Sequence, residues 1–347
     1  LNEGESLLRW YQEKGRKLPF RQLEDPWKIL VVEFLLHQTR ISAVLPRLPR
    51  ILSTLSDPEK TAKLDDLTLQ SLWAGLGYYR RALYLRECAR KILLLHKGKV
   101  PEEEKELLSL PGVGKYTARM IQGVVFGKKV PVIDGNIRRV LSRRWGIEEN
   151  SPQEEKVLLQ WFSLLSSAFP HIKFLIYALM DLGGTICLPR PRCELCPIAP
   201  FCYSYKKKNF FQRKEKKREK QKEEWILSVL RDRNGTFYLI QRGKGETFPQ
   251  IIAPPLFSGS QPPENLFFLQ RTWRRVHTEK PYRHTLTHRI YEVTPAIYEL
   301  VWEGNSEEVL ESPLIPFPEP LFFQLPLPTL FRKGIERLFP DKYEGRN

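Results

Sequence analysis

Apolar positions recur at helical spacing from the start of the chain to about residue 205, and at strand spacing after Glu224. In the first region "LLRWYQEKG" puts Leu7, Leu8 and Tyr11 on one helical face, with Gly15 as a C-cap. "WKILVVEFLLHQTR" is long, mostly apolar and free of Gly and Pro, which predicts a buried helix. Asp57-Pro58 and Asp65-Asp66 read as starts of further helices. Strand alternation is absent and connections are short, so this region is expected to be all-α. Further on, "WILSVLRDRNGTFYLIQR" holds two β-rich runs around Asn234-Gly235, a strong hairpin signal. "HRIYEVTPAIYELVW" predicts another strand, 327–338 a closing helix, and the Pro-rich stretches 253–263 and 312–328 predict loops. The second region is therefore α/β or α+β.

Composition adds a partner. The 347 residues suit two domains, and 56 Lys and Arg against 40 Asp and Glu leave a formal charge of +16. Ten of those cations fall in 206–222 against Glu215 and Glu219, so a basic linker carries half the excess. That linker is a solvated connector, a phosphate-touching strap, or both. Such a balance favours a polyanion, with nucleic acid ahead of an anionic membrane surface. A transmembrane helix is excluded, since Glu33 interrupts one apolar run and Lys173 and Asp181 bracket another. No charged segment followed by an apolar one opens the chain, so no secretory signal is expected. Cys88 stands alone, while Cys187, Cys193, Cys196 and Cys202 crowd together. That distribution argues for a reducing compartment and a metal site over a disulfide framework.

Four features could carry chemistry. "LSLPGVGKYTARM" predicts a helix, a tight turn at Gly112-Val113-Gly114, and a new helix from about Lys115. Exposed N–H groups at such a turn and helix start cradle a phosphate, and Lys115 would add charge beside it. The spacing C-x5-C-x2-C-x5-C admits zinc or an iron–sulfur cluster and suits the cluster better, having one close pair flanked by two lone cysteines. Glu33 lies inside an apolar helix, where it must be paired, protonated or lining a pocket. Asp134, in "VPVIDGNIRRV", is placed either as a plain N-cap or as a functional acid.

With "LPGVGKYTA" before "VIDGNIRRV" and the four cysteines, the chain resembles the helix–hairpin–helix DNA glycosylases that carry an iron–sulfur cluster. "EFLLHQTR", "WAGLGYYRRA" and "ALMDLGG" narrow the resemblance to the adenine DNA glycosylases, the MutY family, over about residues 8–202. Beyond that it rests on a Nudix-like pattern and "YRHTLTH". The fold implied is multidomain α and α/β. An N-terminal helix–hairpin–helix catalytic region, 1–205, would comprise a six-helix subdomain at about 22–130 and a cluster subdomain from 1–21 and 131–205. A linker at 206–222 would lead to a Nudix-like lesion-recognition domain at 223–347.

The resemblance implies excision of adenine mispaired with 8-oxoguanine or guanine, and it assigns roles by position. Glu33 matches the general acid that protonates the flipped adenine, and Asp134 the carboxylate that stabilises the sugar cation. Asn136 matches an active-site amide, and Tyr116 stands where lyase relatives carry a Schiff-base lysine. Arg21, Leu36, Thr39, Leu76 and Tyr177 are implied in substrate binding, with Gln38 and Tyr78 as wedges in the duplex. Gly112, Val113, Gly114 and Lys115 would hold DNA phosphate. Leu286, Thr287 and His288 replace the family's Phe-Ser-His lesion-reading loop, so the hydroxyl and imidazole persist and the aromatic wedge is gone. Cys187, Cys193, Cys196 and Cys202 match the ligands of one 4Fe–4S cluster. His37, Phe20 and Tyr177 depart from the family's Gln, Trp and Gln or Glu.

The chemistry agrees with the residues taken alone. Breaking an N-glycosidic bond through an oxocarbenium-like state needs one neutral acid at the base and one anion at the sugar. An acid in an apolar helix and another beside helix N–H groups divide those roles. The partner expected is duplex DNA, bound by a monomer inside the cell, with the linker a candidate dock for repair proteins and no membrane involved. Two alternatives stand: a bifunctional glycosylase/lyase, which would need an amine at Tyr116, and a non-catalytic DNA-binding module.

Overall fold

Aspartates start helices where the sequence places them. Asp25, Asp57, Asp65 and Asp134 each accept a main-chain N–H in the first turn of the helix that follows. The computed structural model describes residues 2–208, 220–243, 246, 248, 250–286, 289–303 and 314–342. The chain divides into two units. One comprises 1–38, 46–63 and 84–215; the other comprises 39–45, 64–83 and 216–347.

The described residues of the first unit are helical. Its core draws on Glu3–Lys14, Pro26–Leu36, Lys115–Val124, Gly135–Trp145, Glu154–Ser166 and Ile172–Asp181. Leu7, Leu30, Leu35, Trp161, Phe162, Leu175 and Ile176 are fully buried there, and Cys88 is a small core residue. The Ile172–Asp181 helix runs into a π turn, Leu182–Ile186. There Gly183 is required by close approach, because a Cβ would meet the Asn136 main-chain oxygen at 2.8 Å. No helix among the described residues is long and apolar enough to cross a membrane.

The second unit is built on a mixed sheet. Its strands are β1 (Gln221–Arg231), β2 (Thr236–Gln241), β3 (Ile252–Ala253), β4 (Leu256–Ser258), β5 (Asn265–Phe268), β6 (Arg271–Thr278), β7 (Tyr282–Thr285), β8 (Arg289–Glu303) and β9 (Leu314–Pro318). The order is β3-β2-β1-β8-β6-β5, with β4 on β1, β7 on β8 and β9 on β2. β1 and β8 run parallel, from Gln221 beside Arg289 to Arg231 beside Glu299, and the other pairs are antiparallel. Leu230, Trp273, Ala296, Tyr298 and Leu314 form a buried cluster. The predicted closing helix is Thr329–Leu338, which buries Leu330, Phe331 and Ile335.

The Pro-rich stretches are not loops throughout. Leu256–Ser258 is a strand, and Pro316 and Pro318 lie in β9, opposite Tyr238 and Thr236. β9 pairs only with β2 among the described strands, and at an edge a residue without an N–H costs no ladder bond. Most of the basic linker, 209–219, lies outside the described residues.

Candidate active site

Asp25 and Pro26 launch the helix that carries Glu33, and its residues from Ile29 to Leu35 are all buried. Glu33 is 7% exposed. Burial pushes its carboxyl up first and the charge of Asp134 adds to it, to about 7. The helix ends at half-buried Leu36, where His37 Nε2 meets Thr117 Oγ1 at 2.8 Å and the chain turns sharply. Gln38, the next residue, has a left-handed backbone (φ 54°).

Asp134 caps the Gly135–Trp145 helix, so the cap and the functional acid are one residue. Its Oδ1 accepts the Ile137 N–H at 2.6 Å, and its Oδ2 accepts Asn136 Nδ2 at 3.2 Å. Asn136 Oδ1 in turn accepts Arg139 Nη2 at 2.9 Å, and Arg139 Nε donates to the Cys187 carbonyl at 2.7 Å. A continuous chain of hydrogen bonds therefore joins the acid to the cysteine loop.

Tyr116 and Tyr177 complete the cluster. Both phenols are raised first by burial and next by the charge of Glu33, and Asp134 also raises Tyr116. The Arg21 guanidinium lies 4.5 Å from the Tyr177 ring centroid. It is fixed there by Asp181, which accepts Arg21 Nη1 at 2.8 Å and Nη2 at 2.7 Å, and Arg16 Nε at 2.6 Å. Burial opposes the Asp181 charge, yet the Arg21 and Arg16 bonds prevail and hold its pKa below the ordinary value. Asp181 and Arg16 were not among the expected site residues. The signal was present in Asp181, an acid beside the apolar run "FLIYALM", which is the same argument that singles out Glu33.

The predicted turn forms between Glu104–Ser109 and Lys115–Val124. Gly112 (φ 80°) is obligatory, since a Cβ would meet Phe34 at 2.7 Å. Gly114 has an extended φ of −96° and nothing near its Cβ position, and it starts the helix without a side-chain cap. Val113 is buried. Lys115 directs its ammonium to Glu155 at 2.5 Å, not toward the turn.

Cys187, Cys193, Cys196 and Cys202 line one cavity together with Arg143. Arg143 is buried, gives Nη1 to the Leu188 carbonyl at 2.6 Å and to Cys187 Sγ at 3.5 Å, and leaves Nε without a partner. Among the described residues no three such donors converge on a point that would hold a single ion.

In the second unit, Tyr78 is 51% exposed with a left-handed backbone (φ 50°). Both residues expected as wedges thus adopt a conformation that costs a bulky side chain about 1 kcal/mol or more. Thr39 and Leu76 meet through a hydrogen bond from Thr39 Oγ1 to the Leu76 carbonyl at 3.2 Å. Leu286 follows β7 and is partly exposed, while Thr287 and His288 lie outside the described residues.

Residues 31–163 match the model of the HhH-GPD superfamily of base excision DNA repair proteins. Over 306 residues the chain is 31% identical to an adenine DNA glycosylase of Buchnera aphidicola subsp. Baizongia pistaciae, covering 84% of each. It is 39% identical over 197 residues to an adenine DNA glycosylase of Mycobacterium tuberculosis, covering 56% of this chain and 64% of the relative. A solved structure of a thermostable thymine-DNA glycosylase aligns with TM-score 0.53 and 31% identity, covering 59% of this chain and 95% of that one.

Proposed function

The chain belongs to the adenine DNA glycosylases of the helix–hairpin–helix superfamily, and we propose that it hydrolyses the N-glycosidic bond of adenine mispaired with 8-oxoguanine or guanine in duplex DNA. The observation that carries the mechanism is the pairing of Glu33, raised to about 7, with Asp134. The adenine leaves the stack first, helped by Gln38 and Tyr78 as wedges. Glu33 then gives its proton to the base as the bond to C1′ breaks and its electron pair passes into adenine. Asp134 faces the positive charge that develops on the sugar, held in place by Asn136 and the Ile137 N–H. Water adds at C1′ and loses a proton, leaving free adenine and an abasic sugar. Tyr116 offers a phenol and no amine, which supports hydrolysis over a lyase step.

Leu36, Arg21 and Tyr177 form the base pocket on this reading, and the free N–H groups at Gly114 and Lys115 take a DNA phosphate. The donor set at the cysteines fits a 4Fe–4S cluster: four thiols line one cavity, and buried Arg143 has an unspent donor beside them. When bound, the cluster cross-links residues 187–202 into a folded loop. The sheet unit is read as Nudix-like, supported by the parallel β1–β8 pair and the Thr329–Leu338 helix, with Leu286, Thr287 and His288 reading the opposite base.

Excision kinetics on duplexes carrying adenine opposite 8-oxoguanine, G, C and T test the proposal. Abasic product is expected fastest opposite 8-oxoguanine, and Glu33→Gln should slow it by about 10²–10⁴-fold. No product on any duplex would overturn the reading.

A further inference from the structure

Gln70, in the Asp66–Leu72 helix, is 4% exposed, and a buried carboxamide needs partners at both ends. Its Nε2 donates to the Ile252 carbonyl at 3.1 Å and to the Pro326 carbonyl at 3.3 Å, and its Oε1 accepts the Ile252 N–H at 3.1 Å. Ile252 belongs to β3, the terminal strand of the sheet order, so the side-chain amide occupies the place of a neighbouring strand at that residue. At the start of the same helix, Asp66 accepts Gln241 Nε2 at 2.7 Å from the end of β2. The helix is therefore tied to the sheet near both of its ends.

The chain leaving that helix turns through Gly75, Gly77 and Tyr78, all with positive φ. Buried Arg81 closes the turn, donating Nη2 to the Gly77 carbonyl at 3.1 Å and to Thr39 Oγ1 at 2.8 Å. A cleft of about 750 Å³ is lined jointly by Leu76 and Tyr78 from this turn and by His284, Leu286, Arg289 and Tyr291 from β7, β8 and their connection. The turn and Leu286 are thus parts of one recess.

We propose that Gln70 is a positioning residue for discrimination of the base opposite the adenine. It acts through the helix, fixing the distance between the Tyr78 turn and Leu286. This rests on the reading that the enzyme prefers adenine opposite 8-oxoguanine. A displacement of about 1 Å at such a recess is enough to change a rate by one to two orders of magnitude.

The test compares full-length wild type, Gln70→Ala and Gln241→Ala by single-turnover excision of adenine opposite 8-oxoguanine and opposite G. Thermal melting is followed alongside. Gln70→Ala is expected to lower the ratio of the two rates about tenfold, mainly through the 8-oxoguanine duplex. Gln241→Ala, an exposed tie, is expected to lower it in the same direction by a smaller factor. An unchanged ratio in Gln70→Ala, or equal losses on both duplexes, would make Gln70 a packing residue only and overturn the proposal. If Gln70→Ala does not fold, Gln241→Ala decides, and an unchanged ratio there overturns it. A wild type that excises equally opposite both bases is a different failure, of the underlying preference, and is seen before any variant is compared.

Discussion

The carboxylate of Asp134 raises the proton affinity of Glu33, adding to the larger effect of burial. Two acids placed this way do not compete for the same role, because the buried one retains its proton near neutrality while the other is engaged by Asn136 and a helix N–H.

The excision rate should therefore follow the neutral form of Glu33. It is expected to be level below about pH 7 and to fall tenfold per unit above it, as the proton needed by the leaving base is lost. Glu33→Gln, which keeps shape without a transferable proton, should lose about 10²–10⁴-fold and the pH limb with it. Single-turnover rates from pH 5 to 9 (a range of about four units) check this.

The same burial has a cost in stability with a defined sign. The Glu33 carboxyl titrates at about 7 in the folded chain and near its ordinary 4.5 when unfolded. As pH rises through that window the unfolded state releases the proton that the folded state retains, so stability falls and stays low above 7. Glu33→Gln should be more stable than wild type at high pH by up to about 3 kcal/mol, with the gain vanishing near the ordinary value. Denaturant titrations at both ends of the window measure it.

Asp181→Asn leaves two guanidinium groups without their anion. Removing one partner of a buried pair costs about 3–5 kcal/mol, and Arg21 would lose its place over Tyr177. Both thermal stability and excision should drop, whereas Arg9→Ala, which breaks an exposed pair with Glu13, should leave both nearly unchanged.

Metal analysis of the purified protein should give iron and not zinc, with broad visible absorbance from sulfur-to-iron charge transfer. Cys196→Ser is expected to lose that absorbance and reduce the iron content. Zinc at one equivalent would contradict the cluster assignment.

Much of this was legible along the chain. Asp57 and Asp65 announce their helices because an N-cap acts over three residues, and Asn234-Gly235 marks the β1–β2 turn for the same local reason. Glu33 was legible because a charge in an apolar run demands an explanation. The Arg21–Asp181 pair spans 160 residues of sequence, and no periodicity encodes such a partner. Pro316 and Pro318 were misread because local rules see a missing N–H and cannot see that the strand lies at an edge. The side chain of Lys115 was expected at the turn, but Glu155, 40 residues later, claims it.

The family match spans 31–163, yet 39–45 and 64–83 within it group with the later sheet. The backbone is laced between the two bodies, so neither is a contiguous cassette. Cutting at the basic segment would strip Gln70 and Asp66 of their sheet partners. A different sheet region in this place would therefore have to supply new partners for residues in the middle of the family match as well.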